Sequence, residues 1–146
     1  MSFKAGSLFS HFLFEIDIQL VAQMMTAWSE KFAADLPLFR AAMVWLASAH
    51  EDDQSPILQG HRAKSVRAIQ LLVGAIERGQ EDGSIRTDQL PAQLAMQIWS
   101  AMIGAMLIHS ASAEVQSRVS NVDFDSLVPN SLAILCDGLR PGGTDA

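Results

Sequence analysis

Between positions 94 and 108 almost every residue is apolar: only Gln97, Ser100 and Gly104 interrupt Leu94, Ala95, Met96, Ile98, Trp99, Ala101, Met102, Ile103, Ala105, Met106, Leu107 and Ile108. The run is too long for a strand of ordinary length, and its Ala and Met content favours a helix. A helix that is apolar all round must be covered all round. Its most apolar core falls short of the roughly 20 residues that a membrane span requires, so the cover has to be protein and no membrane partner is expected. In a chain of 146 residues the other short helices can cover about two faces, leaving one for a second copy. Ala101, Gly104 and Ala105 are small enough to let a partner helix come close, with Ile108 extending the same surface. A homodimer is therefore expected, the alternative being a deeply central helix in a monomer.

The remainder of the chain supports an all-α fold of about five or six helices. Tyr is absent, and Ala and Leu dominate over the residues that favour sheets. From Ile16 a stripe runs through Leu20, Val21, Met24, Met25, Trp28 and Phe32 at three- and four-residue steps, ending before Pro37. Pro37 can open a second helix carrying Leu38, Ala42, Met43, Trp45 and Leu46. Ser55 and Pro56 read as the cap and first position of a third helix, in which Gly60 leaves one helix or two open, and Gly83 ends it. The apolar helix starts near 88–91 and runs to about Ser110, a polar connection covers 110–121, and a last helix occupies about 125–138 with Pro129 near its first turn. The domain spans 16–140, with 141–146 a tail.

Chemistry is sparse. The chain has no phosphate-cradling Gly-rich loop, nucleophile elbow or Cys-x-x-Cys motif, and His11 with Glu15 alone does not make a metal site, so neither an enzyme nor a cofactor is expected. Cys136 is the one cysteine, set among apolar neighbours as a small buried hydrophobe. No secretion signal is recognisable, and a cytoplasmic location is expected. A net charge of -6 repels phosphate backbones and argues against general nucleic-acid binding. What remains is an interior rich in Trp and Met. Met adapts to varied guests, and a few polar tips can orient a mostly apolar one. Trp28, Met43, Trp45, Trp99, Met102 and His109 are the expected lining of a pocket for a small apolar or aromatic molecule.

Three segments resemble the tetracycline-repressor (TetR) family of transcriptional regulators. Residues 71–106, "LLVGAIERGQEDGSIRTDQLPAQLAMQIWSAMIGAM", are similar to that family's helix, Gly-x-x-x-Gly-x-x-Arg turn and interface helix; "LAILCDGLRP" at 132–141 is similar to its final helix; and "GSLFSHF" at 6–12 resembles the end of its DNA-recognition element. The resemblance implies an effector-binding and dimerisation domain whose last two helices pair with their mates in a four-helix bundle, adding Leu127, Ala133 and Ile134 to the interface. It also places Lys4, Ser7, Phe9 and His11 on the family's DNA-contacting positions. Only six residues precede Ser7, so 1–15 is read as a remnant of the helix-turn-helix, with DNA a partner only where a complete N-terminal head is present. Glu15 stands where the family carries a phosphate-touching Lys, and an acid there opposes phosphate.

The expectation is thus a ligand-sensing homodimeric domain of a TetR-like regulator. The rival from another class is a helical interaction or scaffolding dimer with a filled core and no ligand; a degenerate operator binder is a third reading.

Overall fold

A computed structural model describes residues 16–48, 56–111 and 113–142. The remnant segment 1–15, with Lys4, Ser7, Phe9 and His11, lies outside the described residues, as does Ser55. Six helices follow one another: α1 (Ile16–Ala33), α2 (Leu36–Ser48), α3 (Pro56–Asp82), α4 (Pro91–His109), α5 (Ala113–Ser117) and α6 (Leu127–Leu139). No strand occurs among the described residues, and the fold is the all-α bundle that the periodicity predicts.

Local chemistry sets most of the boundaries. α1 stops where Asp35 turns the chain, and the Asp35 carboxylate accepts the Leu38 amide at 3.0 Å, capping α2 with Pro37 in its first turn. α3 runs unbroken for 27 residues through Gly60, which settles the question of one helix or two. A helical glycine costs about 1 kcal/mol, too little by itself to end a helix whose C-terminal half is anchored in the core by Leu72, Ala75 and Ile76. The connection at 110–121 contains the short α5, which buries no residue.

The turn from α3 to α4 is densely bonded. Gly83 adopts φ 83°, a left-handed conformation that glycine reaches without a side-chain penalty. The chain then folds back so that the Ile85 amide donates to the Gly79 carbonyl at 2.8 Å, and the Gln80 amide group donates to the carbonyls of Arg86 and Gln89, both at 2.8 Å. Arg86 continues the network outward. Its backbone amide donates to the Leu139 carbonyl at 2.8 Å and its guanidinium to the Gly138 carbonyl at 3.3 Å, while Asp88 holds the guanidinium from the other side. Carbonyls that α6 cannot satisfy itself thus find donors, and a cation sits at the negative end of its dipole.

α3 packs against both α1 and α4, and α6 packs against the same two, so these four helices form the corners of a bundle; α2 lies on α1. The centre is filled by Val21, Met25, Leu72, Ile76, Ile98, Met102 and Met106, and Phe39 carries α2 into it. α4 presents Leu94, Ala95, Ile98, Met102, Ala105 and Met106 inward. Ala105 therefore does not belong to the outward surface on which the sequence placed it. Four residues after Ala101 the helix has turned about 40° further, enough to carry Ala105 into the core beside Met102. α4 is also long and apolar enough to cross a membrane by length and composition, a longer element than the apolar run suggests, and a third of it is buried inside the bundle.

Asp17, near the start of α1, is buried, with its carboxylate 3.6 Å from the Arg78 guanidinium. Burial, then the hydrogen bond and negative charge of Asp82, raise its pKa above the ordinary carboxylate value; Arg78 acts in the other direction. Asp82 moves the opposite way: burial works against this, but donation from the Ser84 hydroxyl and amide outweighs it and lowers the Asp82 pKa. A raised folded-state pKa means that Asp17 resists ionisation in the fold. Its contribution favours folding below the unfolded pKa and is lost as pH rises through the folded value. Asp17→Asn is expected to raise the melting temperature at neutral pH and to reduce the difference between melts at neutral and mildly acidic pH. A lower melting temperature at neutral pH would mean that the ion pair with Arg78 outweighs the burial of the charge.

Candidate functional site

Hydrogen bonds join α4 and α6 at both ends. At one end Arg86, ahead of α4, binds the Gly138 and Leu139 carbonyls; at the other, the His109 ring meets the Phe124 carbonyl at 2.9 Å just ahead of α6. The two helices are therefore antiparallel neighbours. A carbonyl only accepts, so Nδ1 of His109 carries the proton in that bond, and in the neutral ring Nε2 keeps its lone pair. The end of α4 is further secured by Gln116, which donates to the His109 carbonyl at 3.0 Å, and by the Arg40 guanidinium, which donates to the Ser110 carbonyl.

Beside this end of α4 lies a cavity of about 210 Å³ between α1, α4 and the start of α6. Its apolar surface comes from Ala33, Met106, Val128, Pro129 and Leu132, and its polar surface from Thr26, Ser29, Glu30, His109 and Asp125. Ser29 is buried, and its hydroxyl donates to the Thr26 carbonyl at 2.9 Å. The Glu30 and Asp125 side chains are exposed, and neither carboxylate has an ionic partner among the described residues. The lining contains two acids and no Lys or Arg.

Of the pocket residues expected from sequence whose side chains are described, His109 alone lines this cavity. Trp28 and Trp99 do converge, with ring centroids 5.1 Å apart, but they fill space: Trp28 also lies against Phe32 at 5.2 Å in a tilted arrangement and meets Phe39 edge-on at 6.3 Å. Met102 is fully buried and Met43 packs against the same core. Those four form a packed aromatic and thioether centre. The side chain of Trp45 lies outside the described residues. The lining residues that sequence reasoning missed on α1 are Thr26, Ser29, Glu30 and Ala33, which follow an i, i+3, i+4, i+7 pattern. That polar stripe beside the apolar one was the available signal.

The outward side of α4 and α6 has a different character. Ala101, Ile108, Ala133 and Ile134 are exposed, Gly104 and Leu127 are half-buried, and Met96 and Leu107 join them on the surface. Ile134 is 73% exposed and Ile108 is 55% exposed, high for isoleucines on regular helices. An open depression of about 500 Å³ runs along this face past Gln93, Met96, Gln97, Ser100 and Ala101. Its lining residues all belong to α4 among the described residues.

Among the described residues no group of three or more His, Cys, Asp or Glu side chains is placed to hold a metal ion. Cys136 is buried on α6, and its thiol pKa is raised, first by that burial and then by the nearby Asp137 charge. A thiol held protonated is a poor nucleophile. Comparison with protein-family models, with characterised proteins and with solved structures finds no match.

Proposed function

We propose that this chain is a ligand-sensing, homodimerising domain of a TetR-like transcriptional regulator, acting in the cytoplasm without catalysis and binding a small, mostly apolar molecule. One observation carries the reading: the cavity of about 210 Å³ lies where α1 meets the antiparallel α4 and α6 pair, and the outer face of that pair is apolar. A molecule in this cavity touches the helices of the proposed dimer interface and also α1, which leads back to the segment that resembles a recognition element. Occupancy would then change the position of α1 against the dimer pair. It can do so only to the extent that the molecule binds one arrangement better than the other.

The competing reading is an interaction or scaffolding dimer without a ligand. The mutual contacts of Trp28, Phe32, Phe39 and Trp99 favour it, because they close the space where the sequence placed a pocket. Thermal melting against a panel of small aromatic and alkyl compounds separates the two. A ligand at a hundred times its Kd stabilises the fold by about 2.7 kcal/mol, equivalent to several degrees in Tm. Ala33 is exposed and lines the cavity, so Ala33→Trp is expected to fill it without disturbing the core and to abolish the shift. If no compound moves the wild-type melt, the ligand-free dimer becomes the better account.

A further inference from the structure

We propose that the cavity between α1, α4 and α6 is selective for a protonated amine carried on a compact aromatic or alkyl body, with the Glu30 and Asp125 carboxylates receiving the ammonium group. The inference rests on the reading of this cavity as a ligand site and adds the charge of the ligand.

The lining divides by chemistry. Met106, Val128 and Leu132 are largely buried and supply an apolar floor, with a thioether suited to an aromatic ring. Glu30 and Asp125 are exposed, as are Thr26, Ala33 and Pro129, so the two acids belong to the side of the cavity that opens to water. An ammonium group bound there stays partly hydrated while its hydrocarbon part enters, which avoids the cost of burying a charge completely. No Lys or Arg lines the cavity, and neither acid forms an ion pair among the described residues. His109, with Nδ1 donating to the Phe124 carbonyl, retains on Nε2 an acceptor for an ammonium N–H in its neutral form. A carboxylate ligand would meet two like charges and no cation.

The two acids belong to different parts of the chain. Glu30 is on α1 and Asp125 precedes α6, so an ammonium group shared between them would link α1 to the α4 and α6 pair. That gives the ligand a means of favouring one spacing of those elements.

The test uses three probes of similar hydrocarbon size and different charge: 2-phenylethylamine, 2-phenylethanol and 3-phenylpropionate. Calorimetric titration at low and high salt is expected to rank the amine about tenfold above the alcohol, with the acid weakest. Two partly exposed ion pairs, each contributing up to about fivefold, account for that margin. High salt narrows it. The Glu30→Gln, Asp125→Asn double variant, altered only at exposed positions, is expected to bind amine and alcohol equally. Equal binding of amine and alcohol by the wild type, lost in Ala33→Trp, overturns the charge preference and leaves the ligand site standing. So does a preference for the amine that survives in the double variant. If none of the three binds, both the preference and the ligand reading fall.

Discussion

Gly79→Ala lowers the stability of this domain by about 1–3 kcal/mol, although alanine is the better helix former by about 1 kcal/mol. The sign follows from the turn after α3. A Cβ on Gly79 would stand 2.5 Å from Cδ1 and 2.6 Å from Cγ1 of Ile85, with the Ile85 Cβ at 3.2 Å. The first two atoms could swing aside on an exposed side chain. Ile85 is 1% exposed, however, and its amide is bonded to the Gly79 carbonyl at 2.8 Å, so neither its rotamer nor its backbone is free to yield. Chemical denaturation of Gly79→Ala, Ile85→Ala and the double variant checks the cause. The two single losses should sum to more than the double loss, because truncating Ile85 makes room for the new methyl. Greater stability in Gly79→Ala, or simple additivity, would show that the turn relaxes and that close approach does not explain the glycine. Gly79 and Gly83 both belong to the segment that carries the family resemblance, and the structure gives each a separate physical reason: contact with Ile85 for one, φ 83° for the other.

The elements that were legible in the sequence are those set by local chemistry. Pro37, Pro56, Gly83 and Pro91 mark helix ends because each acts on its own backbone, and the stripe from Leu20 to Phe32 fixes which side of α1 faces inward. α5 was not legible, since its five residues bury nothing and carry no stripe. The candidate site was only half legible. Convergence of Trp28 with Trp99 follows from large apolar groups on inward faces, but whether converging groups enclose space or fill it depends on tenths of an ångström in packing, which no spacing rule encodes. The cavity instead lies at a junction whose polar members, Ser29, Glu30 and Asp125, become neighbours only when α6 docks against α1.

The outer face of α4 and α6 leads to the largest expected effect: Ile108→Glu combined with Ile134→Glu converts the protein to a monomer at micromolar concentration, weakening self-association by about a hundredfold or more. From Pro91 to Ile108 α4 contains no Asp, Glu, Lys or Arg, so its exposed side lacks the charges that normally mark the solvent face of a surface helix. Gly104 is half-buried on that side and Gly138 is exposed on α6, and a Cβ on either would meet nothing within 4 Å among the described residues. No close approach among the described residues therefore requires these glycines, each of which costs the helix about 1 kcal/mol relative to alanine. A second copy brought close by a two-fold axis gives them a use and covers Ile108 and Ile134 together. Two-fold symmetry also repeats each new carboxylate, so the variant buries four unpaired charges, each opposed by several kcal/mol unless it escapes to water. In a monomer the same substitutions sit at exposed positions and change stability by no more than about 0.5 kcal/mol each. Sedimentation equilibrium distinguishes the cases: a dimer that becomes a folded monomer in the variant supports the pairing, and a wild-type monomer at micromolar concentration removes both the interface and the sensor built upon it.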